Sequence, residues 1–546
     1  MRLLRLLSLA VFLAALSFCP AMAQEHQHPA GDPEKLGQVS FPVSCSPAAQ
    51  QPFNRAMAML HSFWYARAEQ EFRAVAEKDP ACAMAHWGVA ITHYRLLWEY
   101  PSADDLAAGA AAIQKAETAG AKTERERDFI AALKMYYEDA DKIDRDTRAA
   151  KYEKAMESLF AKYPEDPEAG LFYSLTLLRY GAPPDKNYTK PQKAGAIAEK
   201  VFRAQPNHPG AAHYVIHSYD YPPLAARALN AAREYGKIAP DAPHALHMPS
   251  HIFTRLGLWD ESIGSNAASA AAAQKHNLPG DELHAMDYLM YAYLQKGQDR
   301  KAAELLASMP PVKLGEPAAF AGFFARAAMP ARYVLERKRW ADAAKLEAPA
   351  NLFPGGRWTW AEATFIFARG LGAARSGQPA MARESITKLA NAQKTLLENK
   401  EPYWANQVDL QRQIVSAWLA FAEGKGDEAL KMMRAAADAE DVTDKHPVTP
   451  GSILPARELL GEVLLELKRP ADALPEFETV LKAAPARFNA IYGAGRAAQL
   501  AGNDAKARDY FAKLVQLGRD ADSERAELTA AKNFLATNAK TGASRE

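Results

Sequence analysis

Histidine is concentrated in one short stretch of this chain. Six of the 14 histidines in 546 residues lie between positions 208 and 251, where an even spread would place about one. His213 and His217 form a pair four residues apart, and His247 and His251 form a second pair 34 residues later. Two histidines at i and i+4 project from one face of a helix and can share a metal ion. The spacing therefore predicts two helices that present paired imidazoles.

Other side chains in the same register suit a metal ion. The further candidates, either as ligands or as groups that orient the ligands, are Asp220, His244, His284, Asp287 and Tyr291. Imidazole combined with carboxylate suits zinc, copper or iron. A carboxylate in such a site can bind the metal, accept the N–H of a ligating imidazole, or act as a general base toward bound water. The sequence leaves these three roles open.

Three interpretations of the histidine pairs remain open at this level. Neighbouring helices pack about 8–10 Å apart, which allows imidazoles from both helices to meet at one metal ion. The same rings can instead hydrogen-bond a peptide or an anionic small molecule. Duplication of a repeat can also copy a histidine pair that has only a structural role.

Pro249 interrupts the second pair. It has no N–H to donate to the carbonyl of Ala245, so a helix through this position must kink or break. A kink would aim His247 differently from His213. A helix that begins at Pro249 would instead leave 244–248 as an ordered lead-in.

The elements that carry these residues form a helical repeat, which is clearest near the C-terminus. Two successive stretches, 456–485 and 490–517, have apolar residues at helical spacing. Three residues of the first stretch recur 34 residues later in the second: Gly461, Ala473 and Phe477 as Gly495, Ala507 and Phe511. A 34-residue helix–turn–helix period is the signature of the tetratricopeptide repeat, and the chain resembles that family. We therefore predict an all-α fold, a tetratricopeptide-repeat solenoid of stacked antiparallel helix pairs.

The resemblance has consequences for the histidines. In the tetratricopeptide family, positions 5 and 9 of the first helix line the concave groove where such proteins hold ligands. This carry-over places His213, His217, His247 and His251 on one wall of that groove, and it implies a protein or peptide ligand there. The chain also resembles exported bacterial tetratricopeptide proteins that carry segments like HWGVAITHY and HALHMPSHIF, and this resemblance does not select an activity.

The chain is predicted to divide into two arrays. Proline-rich residues between them mark a break in the repeats. The predicted parts are a signal peptide 1–23, a flexible segment 24–39, an N-terminal array 40–308 with the histidine-rich groove, a linker 309–317, a C-terminal array 318–538 and a tail 539–546.

The first 23 residues have the pattern of a secretory signal peptide. Arg2 and Arg5 precede the apolar run 6–18, and the small-residue motif 21–23 provides a cleavage site after Ala23. We therefore expect a periplasmic or secreted protein.

Export affects the two cysteines of the mature chain, Cys45 and Cys82. A disulfide between them is one expectation in an oxidising compartment, and two buried thiols too far apart to bridge are the other.

Charge and hydropathy exclude two classes of partner. Lys and Arg number 66 against 65 Asp and Glu, for a net charge of +1, whereas nucleic-acid binders usually have a basic excess. No apolar run after the signal peptide is long enough to span a bilayer.

The function that the sequence favours is an exported repeat protein for binding or scaffolding, with a metal site at His213, His217, His247 and His251. One alternative is a metal-dependent enzyme that uses the same groove. Another is a metal-free, peptide-binding adaptor for an envelope complex.

Overall fold

The structure is a computed structural model. It describes residues 34–95, 101–178, 187–313, 315, 319–350, 352–353 and 357–543. Within these ranges the regular elements are helices, and no strand occurs. Residues 35–546 form one compact unit. The predicted signal peptide lies outside the described residues.

Most of the helices follow one another through short turns. The first half contains α1 (Gln50–His61), α2 (Tyr65–Lys78), α3 (Ala83–Thr92), α4 (Ala103–Ala119), α5 (Glu124–Tyr137), α6 (Arg145–Lys162), α7 (Pro167–Leu177), α8 (Thr189–Ala204), α9 (Pro209–Tyr219), α10 (Leu229–Ile238), α11 (Pro243–His247), α12 (Pro249–Leu256), α13 (Trp259–Lys275), α14 (Pro279–Gln295) and α15 (Asp299–Ala307). The second half contains α16 (Ala319–Leu335), α17 (Trp340–Ala343), α18 (Thr359–Arg375), α19 (Pro379–Glu398), α20 (Pro402–Ala422), α21 (Gly426–Asp441), α22 (Ala456–Glu466), α23 (Pro470–Ala483), α24 (Phe488–Leu500), α25 (Asp504–Leu517) and α26 (Ala526–Ala543). Short 3-10 helices span Pro47–Ala49 and Ala225–Ala228.

The 34-residue period of the sequence corresponds to a repeated contact between a helix glycine and an aromatic ring. In the α22–α23 pair, a β-carbon at Gly461 would lie 2.7 Å from the ring of Phe477. In the α24–α25 pair, a β-carbon at Gly495 would lie 2.7 Å from the ring of Phe511. The same close approach between a helix backbone and an aromatic ring thus recurs in successive helix pairs. The predicted all-α, tetratricopeptide-type solenoid of helix pairs is confirmed.

The turns within these pairs use the left-handed backbone region. Gly502, which the sequence marks as a turn, has a φ of +74° between α24 and α25. Lys468 holds the same place between α22 and α23 with a φ of +58°. Glycine reaches this region without the steric penalty that a side chain adds.

The helix is interrupted just before Pro249, as the missing N–H of this proline predicts. Helix α11 ends at His247 and α12 begins at Pro249, while Met248 between them keeps right-handed helical angles (φ −53°, ψ −36°). The peptide N–H of Met248 still donates to the carbonyl of His244 at 2.9 Å. The residues before Pro249 are therefore helical, and the helix restarts rather than begins at the proline.

The segment predicted as flexible, 24–39, is packed from residue 35 onward. Lys35 N donates to Asp241 Oδ2 at 2.7 Å, and Gln38 N donates to the carbonyl of Asn207 at 2.9 Å. Leu36 between them is 4% exposed. Residues 24–33 lie outside the described residues.

A disulfide fastens the start of the array. It joins Cys45, in the segment before α1, to Cys82 at the N-terminus of α3, with the two Cα atoms 4.8 Å apart. The bond links residues 37 positions apart in the chain.

Residues on the two sides of the predicted linker 309–317 form direct hydrogen bonds with one another. Arg525 Nη2 donates to Asp299 Oδ1 at 2.6 Å, and Trp259 Nε1 donates to the carbonyl of Ala486 at 2.9 Å. The helices before and after the linker are therefore in contact. Among the described residues, no helix combines the length and apolar character needed to cross a membrane.

Candidate metal centre

The four histidines singled out by the repeat lie in the interior. His213 and His217 are on α9, His247 ends α11, and His251 is in the first turn of α12. The first of these is fully buried, His217 is 9% exposed, and the last two are 2% exposed. A peptide that rests on the surface of the molecule would therefore not reach most of these rings.

The structure divides the four residues between two groups and adds one histidine to each. The first histidine group is His213, His217 and His244, and the second histidine group is His247, His251 and His284. Within each group, one ligand nitrogen per residue lies within 4.8 Å of the others. His244 on α11 and His284 on α14 thus become third members of two sites.

The second histidine group has two ring nitrogens that face each other without a proton between them. His247 Nδ1 donates to Asn266 Oδ1 at 2.7 Å, because the amide nitrogen of Asn266 is used on the carbonyl of Ser262. His251 Nδ1 donates to the carboxylate of Asp220 at 2.9 Å. A neutral imidazole carries only one N–H, so both Nε2 atoms present lone pairs. These two Nε2 atoms lie 3.1 Å apart.

The first histidine group is oriented in a similar way. His213 Nδ1 donates to the backbone carbonyl of His61 at 2.6 Å, since a carbonyl can only accept. Its Nε2 therefore offers a lone pair toward His244 Nε2, 3.2 Å away. Partners of this kind, on the outer nitrogen of an imidazole, fix its ring orientation in metal sites.

The spacing of these nitrogens fits a shared cation. A metal ion about 2.0–2.1 Å from each imidazole nitrogen, with tetrahedral angles, separates two ligand nitrogens by about 3.3 Å. The measured separations of 3.1 and 3.2 Å lie close to that value. For His247 and His251, whose Nδ1 protons are both held elsewhere, two lone pairs 3.1 Å apart repel each other unless a cation lies between them.

The electrostatic surroundings keep the rings neutral. Burial, followed by neighbouring imidazoles, lowers the pKa of His213, His217, His244, His247 and His284 well below the usual value. Burial also lowers the pKa of His251, although the carboxylate of Asp220 opposes that shift. Neutral imidazole is the form that binds metal.

Asp220 links the histidines to a distant part of the chain. Its carboxylate accepts from His251, from Arg255 Nε at 2.8 Å and from Lys445 Nζ at 3.0 Å. Burial raises the pKa of a carboxyl group, but the two cations and His251 hold the pKa of Asp220 well below its usual value. Burial lowers the pKa of Lys445 to about 8. Asp220 thus orients an imidazole and is not itself a member of either histidine group.

Lys445 belongs to a loop, residues 442–455, that joins α21 to α22 and covers the centre. Tyr288 OH lies 3.3 Å from His251 Nε2 and contacts the carbonyls of Pro447 and Thr449 in this loop, at 3.2 and 3.1 Å. His446 and Thr449 are buried. The centre is therefore enclosed by residues from both halves of the chain.

Two sequence candidates lie in a separate ion network. Asp287 Oδ1 accepts from Arg332 Nε at 3.2 Å, and Tyr291 OH accepts from Arg487 Nη1 at 3.1 Å. Burial raises the pKa of Asp287 to about 6, although Arg332 opposes the shift. The packing of α14 against α16 puts Arg332 within reach of Asp287. Asp287 and Tyr291 thus bind arginines from the second half of the chain instead of joining a histidine group.

A third cluster, His61, Glu168 and His208, is satisfied by its own hydrogen bonds. Glu168 is bonded by His61 Nε2 at 2.8 Å and by His208 Nε2 at 3.0 Å. His61 Nδ1 contacts Tyr214 OH at 2.9 Å, and His208 Nδ1 accepts from the N–H of Ala211. All four imidazole nitrogens have partners, so the cluster supports the fold and positions the His61 carbonyl that orients His213.

Sequence reasoning missed Asn266, Tyr288 and the 442–455 loop. Asn266 and Tyr288 lie on α13 and α14 without any motif of their own. The loop did leave a signal, because the repeat-equivalent residues Ala429 and Ala473 are 44 positions apart, ten more than the period. A long insertion in a compact array often has a functional role.

Comparisons with known proteins do not bear on the chemistry of the centre. No protein-family model and no curated protein matches the chain. Among solved structures, the chain is similar to the human IFIT1 dimer with m7Gppp-AAAA, with 14% sequence identity, 80% of this chain and 90% of that chain covered, and a TM-score of 0.35. The chemistry of the centre therefore follows from its own residues.

Proposed function

We propose that this chain is an exported helical-repeat protein that binds late first-row transition-metal ions through its two buried histidine groups. The observation that carries the proposal is the pair of facing lone pairs on His247 Nε2 and His251 Nε2, 3.1 Å apart, with the Nδ1 proton of each ring held by Asn266 or Asp220. A metal ion turns this repulsive contact into two bonds.

The ligand set narrows the class of metal. Both groups offer only imidazole nitrogens, which suit zinc, copper, nickel or iron better than magnesium or calcium. Three protein nitrogens also leave a fourth position for water or a small ligand, as in catalytic zinc sites. The site thus suits a bound metal that acts on, or carries, a small molecule.

Export rests on two features. The basic, apolar and small-residue pattern of positions 1–23 is that of a cleaved signal peptide. The disulfide between Cys45 and Cys82 supports the same proposal, because disulfides persist in oxidising compartments. Mass spectrometry of the native protein should find Gln24 as its first residue, and an N-terminus that retains residues 1–23 would contradict export.

The metal proposal is tested by competition with a chromophoric chelator for Zn²⁺. We expect two tightly bound Zn²⁺ ions per chain in the wild type and only one in the double variant His247→Ala/His251→Ala, which keeps the first histidine group. The matched control is His86→Ala/His276→Ala, which also removes two imidazoles but touches neither histidine group. Binding to the native state should raise the melting temperature of the wild type and the control by more than that of the double variant. A wild type that neither binds Zn²⁺ nor melts at a higher temperature in its presence would overturn the proposal.

A further inference from the structure

The two histidine groups are built in the same way and share one helical segment. Each combines two histidines four residues apart with a histidine from the start of the next repeat. The segment 243–256, which contains α11 and α12, contributes His244 to the first group and both His247 and His251 to the second. Because one short segment forms a wall of both groups, the groups lie side by side.

The distances between rings show how close the groups are. Within the first group the ring centroids of His213 and His217 lie 4.7 Å apart, and those of His217 and His244 lie 6.3 Å apart. Between the groups, the centroids of His217 and His251 are separated by 6.2 Å, and those of His244 and His247 by 6.1 Å. Neighbouring rings of different groups are thus no farther apart than rings of the same group.

Each histidine group leaves coordination positions open on its metal ion. A three-nitrogen group fills three positions of a four-coordinate ion. The ring centroid of His284 lies 4.2 Å from that of His247, and the Nδ1 atom of His284 is buried without a hydrogen-bond partner among the described residues. Neither group includes a carboxylate. Two cations in this buried interior are stabilised by an anion that both can bind, and hydroxide formed from one water that releases a proton to the solvent is the smallest that serves.

We propose that the six histidines form a single dinuclear centre, in which each histidine group binds one zinc or copper ion and a solvent-derived hydroxide bridges the two. This inference rests on the proposed metal binding and adds the pairing of the ions. It predicts two ions per chain whose unpaired electrons are magnetically coupled when both ions are paramagnetic. Two independent sites would instead show the signals of isolated ions.

Copper(II) distinguishes these cases because each ion carries one unpaired electron. The full-length protein is loaded with Cu²⁺, desalted, and measured by elemental analysis and by electron paramagnetic resonance. We expect two copper ions per chain and an integrated signal far below two spins, because a hydroxide bridge couples the electrons. Loading with a large excess of Zn²⁺ over Cu²⁺ should restore about one spin per copper ion, since most copper ions then have a diamagnetic neighbour.

Variants assign the two positions. His244→Ala and His284→Ala should each retain one copper ion with a full, isolated signal, whereas His86→Ala should retain two coupled ions. Two ions with two full spins in the wild type, or a single ion, would overturn the dinuclear centre and leave metal binding intact. No retained copper or zinc would overturn both proposals. The wild-type and mixed-metal measurements decide the matter even if a variant does not fold.

Discussion

Asn266 shows how a single residue prepares the centre without touching the metal. Its side-chain oxygen holds the proton of His247 on Nδ1 and so leaves Nε2 bare. Partners of this kind usually contribute 10–100-fold to metal affinity. The sequence could predict His213, His217, His247 and His251 from their repeat spacing, but it could not predict Asn266, because its role depends on which face of α13 packs against α11.

Replacing Asn266 therefore tests the orientation of the ring. We expect Asn266→Ala to weaken Zn²⁺ binding about 10–100-fold, because Nδ1 loses its acceptor and either nitrogen can then carry the proton. Asn266→Asp keeps an acceptor and should bind within a few-fold of the wild type. Chelator competition measures both variants, and an unchanged affinity in Asn266→Ala would contradict this role.

His446, in the loop over the centre, gives the protein a pH dependence at the residue scale. Burial lowers its pKa from 6.5 to about 3, and its Nδ1 accepts from the N–H of Val448 at 3.1 Å. Above pH 6.5 the ring is neutral in both the folded and the unfolded chain. As the pH falls from 6.5 toward 3, only the unfolded chain gains the proton, so stability falls.

Between pH 7 and pH 5, this residue should lower the free energy of unfolding by about 2 kcal/mol. His446→Asn keeps an acceptor for Val448 and removes the titration. With both proteins metal-free, the free energy of unfolding of the variant should therefore fall by about 2 kcal/mol less than that of the wild type over the same interval. Urea unfolding at each pH measures both values. Equal losses would show that His446 does not contribute.

At the scale of the element, a helix backbone packed on an aromatic ring defines the helix pair. Phe477 and Phe511 are each 1% exposed, and each touches the glycine 16 residues earlier. This part of the fold could be predicted, because glycine and aromatic residues recur at a fixed interval. For Pro249, the sequence could predict only that the helix either kinks there or begins there. The missing N–H of proline does not decide whether the preceding turn is helical.

Gly461→Ala tests the packing of the element. The added methyl group would lie 2.7 Å from the ring of Phe477, which is too close to fit without movement, and overpacking of this kind costs about 1–3 kcal/mol. Gly264→Ala on α13 is the matched control, because a β-carbon at this position would have no neighbouring atom within 4 Å. We expect urea unfolding to show a destabilised Gly461→Ala and a Gly264→Ala that is unchanged or slightly more stable. Equal stabilities would contradict the packing role of Gly461.

At the scale of the whole molecule, a buried ion network of the second half reaches the first half through Tyr291. Arg487 donates to Glu336 at 2.8 Å, to Glu458 at 2.6 Å and to Tyr291 at 3.1 Å. The sequence predicted helices on both sides of the linker but not these contacts, because they join residues up to 196 positions apart. The loop 442–455 over the histidines is the same kind of long-range feature, since Lys445 meets Asp220 across 225 positions.

Arg487→Met should therefore destabilise the protein by about 3–5 kcal/mol, because it leaves two carboxylates buried without their cation. Lys200→Ala removes an exposed ion pair with Glu165 and should change stability by about 1 kcal/mol or less. Urea unfolding compares the two variants under one condition. A loss below about 1 kcal/mol in Arg487→Met would contradict a central role for this network.

Anomalous X-ray scattering shows directly whether the buried histidines bind metal ions. Crystals of the Zn²⁺-loaded protein, measured on both sides of the zinc absorption edge, locate each zinc ion without reference to any assumed ligand. We expect two strong peaks, one bonded to His213, His217 and His244 and the other to His247, His251 and His284. Peaks elsewhere on the molecule, or none at the six histidines, would contradict this expectation.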